Sequence, residues 1–195
     1  MIQEMVNGSI AVLTNPSVQT FERHERDNLG WALIYAAIAS VISGIILVIT
    51  SPFRIEAQGL PPNVIETTVF GVSFVFGGIF SSLVIWGFIY LLGRAFGGTG
   101  SFGELAWGIS LFSSPLSVAQ FIVSYIPFVG LILSLALVIY GIYLNYLAIQ
   151  SGMNLPSQKA LYISIILLVI GLSFLCFAIA IGIADFAIPA GGFAP

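Results

Sequence analysis

The groups best placed to do chemistry in this chain are hydroxyls and amides set inside apolar sequence. Ser110, Ser113, Ser114 and Ser117 recur at i, i+3, i+4 and i+7, the spacing of one helix face. Ala106 and Gln120 extend that face, and Pro115 interrupts it. In an antiparallel return helix, Ser134 reaches the depth of Gln120 and Asn145 that of Ser110. Such groups bond neighbouring helices, at ~0.6 kcal/mol each and up to ~2 kcal/mol. They can also line a groove for neutral or lipidic molecules. They carry no charge, so general acid–base work falls elsewhere, and little is on offer. His24 is the only histidine and no Cys/His cluster exists, so no metal, haem or other cofactor is expected. A Ser-His-acid triad would need His24, which is expected at the cytoplasmic surface. No ionisable side chain falls mid-span, which disfavours ion- or proton-coupled transport. Glu66 and Asp185 are expected near the outer face, and Cys176 reads as a small core residue. No catalytic residue is assigned, and the chain reads as non-enzymatic.

A second cluster is the loop carrying Arg94, Gly97, Gly98, Gly100, Ser101 and Glu104. Gly98, Gly100 and Gly103 fit the spacing of a dinucleotide-binding turn. That turn needs a β-strand before it and an acidic residue about 20 positions on. Here an apolar run of membrane-spanning length precedes it. The glycines instead permit a tight reversal at a membrane surface. Ser101 and Glu104 form a capping box that starts the next helix.

These residues are positioned by elements built for lipid. The chain of 195 residues is 58% hydrophobic and 7% charged, against about 25% charged in soluble domains. Five Lys+Arg and eight Asp+Glu cannot cover a water-facing surface, so the bilayer is the expected solvent. The net charge of −3 and the lack of a basic patch exclude nucleic acid as a partner.

The fold class that follows is all-α: a polytopic membrane protein with five transmembrane helices and short N-terminal interfacial helices. Residues 1–30 form the interfacial segment. Ile2, Met5, Val6, Ile10 and Leu13 share a face of a first helix, and Asn15 is expected to cap a second, with Pro16 at its first position. No signal peptide is expected, since no Lys or Arg precedes Arg23. The five-helix domain occupies 31–183, with spans at about 31–50, 64–92, 102–125, 128–150 and 159–183, and a tail over 184–195. Residues 51–63 are expected as an outer loop, closed by a capping box of Asn63 and Glu66. Two small-residue stripes invite close helix approach: Ala32, Ala36, Ser40 and Gly44 in the first span, and Ser73, Gly77 and Ser81 in the second. A kink is expected at Pro115. With the N-terminus inside, Arg23, Arg26, Arg94 and Lys159 are cytoplasmic against Arg54 alone outside. The chain is therefore expected in the cell membrane with its C-terminus outside.

The order Gly97-Gly98-Thr99-Gly100-Ser101-Phe102, Glu104, mid-span Pro115, then Pro127, Gly130 and Lys159-Ala160 resembles the Yip (Ypt-interacting protein) family of five-span membrane proteins. Asn15-Pro16 with Phe21 resembles the start of its domain, and the likeness covers roughly residues 12–183. The resemblance implies a compact five-helix domain with a cytoplasmic N-terminus. Eukaryotic members act in membrane traffic and associate with Rab GTPases and with one another. This chain has only about 30 residues before its first span and lacks the Asp-Leu-x-Gly-Pro segment. It thus looks like a prokaryotic member, and Rab binding is not carried over. The expected partners are the lipid bilayer, further copies of the chain and other membrane proteins. The expected action is helix–helix association in membrane organisation or a trafficking-like process. The alternative is a lipid or small-solute conduit between spans three and four.

Overall fold

The computed structural model describes the backbone of residues 2–57, 64–126 and 128–187. Side chains are described throughout these segments except at 51–57, 64–66, 175, 178, 179 and 181–187. The described residues form helices α1 (Ile2–Thr14), α2 (Val18–His24), α3 (Leu29–Ala57), α4 (Val64–Ala95), α5 (Phe102–Val123), α6 (Val129–Gly152) and α7 (Ser157–Ala187). No strand occurs among them. Five, α3 to α7, are long and apolar enough to cross a membrane.

The middle helix α5 organises the bundle. It packs on α3 and α6 most extensively and also touches α1 and α4, while α7 rests on α6 and one flank of α4. Half of the α5 span is buried inside the protein, against 11% of the α4 span. The core gathers at one end, where Leu105, Trp107, Leu111, Leu144, Ile149 and Met153 are fully buried.

Local chemistry moves several boundaries. The side chain that caps α2 is Ser17, which accepts from the Thr20 amide, while the Asn15 carbonyl accepts from the Thr20 hydroxyl. The helix therefore begins two residues after Pro16. α3 runs on through Pro52 to Ala57, so the stretch expected as loop from residue 51 starts as helix. Asn63 and its expected capping box lie outside the described residues. α7 continues past Ala184 to Ala187, into the stretch expected as tail. α5 remains one helix across Pro115.

The residues expected to share one face of α1 divide between the bundle and its outside. Met5, Gly8, Ser9 and Val12 are buried, whereas Ile2, Val6 and Ile10 are exposed. Gly8 and Ser9 explain the choice: Gly8 lies against Leu111, and the Ser9 hydroxyl shares a 2.7 Å hydrogen bond with the Tyr35 hydroxyl. Two further bonds tie down this N-terminal region. Trp107 Nε1 donates to the His24 carbonyl at 2.8 Å, and the Tyr140 hydroxyl donates to the Leu13 carbonyl at 2.6 Å. Its outer apolar row of Ile2, Val6 and Ile10 stays exposed.

Candidate functional site

The glycine loop between α4 and α5 is a closed joint. Gly97 has φ +87°, the left-handed region that glycine adopts without penalty. The Gly98 amide donates to Gly93 O at 2.8 Å, Thr99 N to Met153 O at 3.0 Å, and the Arg94 guanidinium to Gly98 O at 3.2 Å. Lys159 Nζ donates to Phe96 O at 2.8 Å, fastening the start of α7 to the same loop. A β-carbon on Gly100 would collide with the Gly152 carbonyl. Ser101 and Glu104 complete their capping box, with Glu104 N to Ser101 Oγ at 3.1 Å and Ser101 N to Glu104 Oε2 at 2.8 Å. The amides of Gly97, Gly98, Thr99 and Ser101 are all spent on the protein, so they form no phosphate cradle.

Beside this joint, Glu25 lies between α2 and α3. One of its carboxylate oxygens is buried without a hydrogen-bond partner. Burial first, then the nearby carboxylates of Glu104 and Glu22, push its pKa up to about 6 from an ordinary 4.5.

The serine face spans the boundary between core and lipid. Ser110 and Ser114 are buried, Ser113 and Gln120 are half-buried, and Ser117 is exposed. Two of these hydroxyls bond within their own helix: Ser110 to Trp107 O and Ser117 to Ser114 O, both at 2.8 Å. The two pairs expected across to α6 do not form. Ser110 does not bond Asn145, and Gln120 does not bond Ser134, which is half-buried. Two buried polar atoms are consequently left alone: Ser114 Oγ and Asn145 Oδ1.

Asn145 stands where three openings meet. One, of about 310 Å³, lies between α5 and α6, lined by Ser113, Ser117, Gln120 and Gly141 among others. A second, of about 350 Å³, lies between α6 and α7 beside Ser164 and Gly171. The largest, of about 490 Å³, lies between α4, α6 and α7, lined by Val84, Ile85, Phe88, Leu167 and Phe174. The sequence pairs Asn145 with α5 through hairpin geometry and misses α7. The one available signal was Gly171, a glycine inside an apolar span, at which an added β-carbon would meet nothing within 4 Å.

The two small-residue stripes have opposite fates. In the first, Ala32 and Ala36 are buried, and a β-carbon on Gly44 would meet Val75 of α4 at 2.8 Å. Ser40 lies against Gly78, where an added β-carbon would come within 2.5 Å of its hydroxyl. In the second, Ser73, Gly77 and Ser81 are all exposed, and nothing lies within 4 Å of a β-carbon at Gly77. No group of His, Cys, Asp and Glu fit to hold a metal occurs among the described residues.

Compared with known proteins, the chain matches the Yip1 domain over residues 10–179. No curated protein and no solved structure matches it.

Proposed function

We propose that this chain, which belongs to the Yip1 domain family, is a non-enzymatic multi-pass membrane protein that works by lateral helix–helix association, with its own copies or with other membrane proteins. The observation that carries this reading is the empty stripe on α4. Small residues let helix backbones approach closely in lipid, where packing rather than hydrophobicity drives association. The α3 stripe is already used inside the protein, whereas Ser73, Gly77 and Ser81 present the same pattern with no partner among the described residues. Introducing Leu at Gly77 and following dimer formation in bilayers tests this directly. Loss of association with an intact monomer supports it; association unchanged by G77L overturns it.

Orientation belongs to the same proposal. Arg26, which pairs with Glu4 at 3.0 Å, joins Arg23, Arg94 and Lys159 at the end of the bundle holding the glycine loop. That end is placed in the cytoplasm, with the C-terminus outside the cell membrane.

A second reading is favoured by the openings around Asn145. Here the protein holds a neutral or lipidic molecule in the groove formed by α5, α6 and α7. The unbonded oxygens of Asn145 and Ser114 support it, because a dry helix interface would have paired them.

A further inference from the structure

We infer that the cleft between α6 and α7 is a binding site for a neutral, hydroxyl-bearing lipid of the acylglycerol type, anchored on Asn145 and Ser164. This rests on the groove reading and specifies its ligand. The anchor is two hydrogen-bond acceptors. Asn145 Oδ1 is buried and unbonded, and Ser164 Oγ spends its proton on Ala160 O at 3.0 Å, which leaves its lone pairs free. Both line the same opening. A lipid hydroxyl donates to either, and it also accepts, so it satisfies the Asn145 amide in either orientation.

The surroundings select against a charged headgroup. The α6–α7 opening and its neighbour toward α4 share Asn145, Leu167 and Gly171, and among the described residues no ionisable side chain lines either. A charge there would be costly at membrane depth. The size selects against a partner helix. A helix with side chains is about 10–12 Å across, so 490 Å³ would hold about one turn of it. An acyl chain is thin and flexible enough to thread both openings past Gly171. The depth also suits a glycerol hydroxyl. Asn145 lies seven residues before Gly152, about 10 Å along α6 from its loop end by helical rise. That places the anchor just beneath a headgroup layer and the apolar walls deeper.

The test uses the full chain in phosphatidylcholine nanodiscs with two photoactivatable probes. One is a diacylglycerol with a free hydroxyl; the other is the same lipid with that hydroxyl acetylated. Labelled peptides are mapped by mass spectrometry. The free-hydroxyl probe is expected to label residues 138–145 and 164–174 about five- to tenfold more than the acetylated one. N145L is expected to erase that preference. G171F, which fills the cleft without touching the anchor, is expected to remove labelling by both probes. Equal labelling of the wild type by the two probes overturns the hydroxyl proposal and leaves the groove reading standing. No labelling of these segments by either probe overturns both. Unchanged labelling of G171F places the probe outside the cleft and likewise overturns the proposal.

Discussion

The two ends of this bundle are built on opposite principles. At the loop end, backbone meets backbone: Gly100 lies against Gly152, the 93–101 loop is hydrogen-bonded to Met153, and Trp107 anchors the N-terminal segment. Farther from that end, α7 rests on α6 and on one flank of α4 with wide openings beside it, and Phe76, Phe80, Leu131 and Phe174 are exposed. The same glycine-rich composition serves both. Where glycines face backbone they make a rigid joint, and where they face empty space they leave room for something else. Close packing thus concentrates at the loop end, and much of the exposed apolar surface lies on the outer helices.

Substitutions of matched type sharpen this contrast. Gly100→Leu drives a side chain into the Gly152 carbonyl, and loss of folded protein is expected, at more than about 4 kcal/mol. Size-exclusion profiles in detergent would show it as aggregation. Gly44→Leu overpacks the α3–α4 contact at Val75 and is expected to cost about 1–3 kcal/mol in thermal unfolding. Gly77→Leu, the same change on the open face, is expected to leave the melting temperature where it was. An equal loss of stability at both glycines would break the distinction between a filled and an empty stripe. Ser101→Ala removes one half of the capping box and is expected to cost about 1 kcal/mol.

The smallest effect is pH-dependent. Glu25 has its pKa raised to about 6 from 4.5, so the fold prefers its protonated form. Its ionisation weakens the folded state above pH 6, and that weakening disappears as pH falls below 4.5. Glu25→Gln is therefore expected to melt higher than wild type at pH 7.5 and equally well below pH 4.5. A difference that persists at low pH would assign the gain to packing instead.

What could be read in advance followed from local rules. The Ser101–Glu104 box depends on residues three apart, and the five spans depend on unbroken apolar length. Where two local signals compete, short range does not decide between them: Asn15-Pro16 has the pattern of a helix start, but Ser17 holds the capping bond. On α1 the apolar period groups Ile2, Val6 and Ile10, but the part that Gly8 and Ser9 play in docking the helix on Leu111 and Tyr35 was not legible in it. The serine face of α5 was visible, but its partners were not. Hairpin depth alone placed Asn145 opposite Ser110, whereas helix crossing left Asn145 beside α7 and unbonded. Crossing angles depend on side chains distant in sequence, which no short-range period encodes.

Disulfide trapping in native membranes asks most directly whether the empty stripe is where this protein meets its partner. Single cysteines at Ser73, Ser81 and Ser40, each in a Cys176→Ala background, would be oxidised and resolved by electrophoresis. The expected result is an intermolecular adduct from S73C and S81C and none from S40C, which faces Gly78 within the same molecule. Monomer alone from S73C and S81C, or an adduct from S40C, would contradict the assignment of association to the open face of α4.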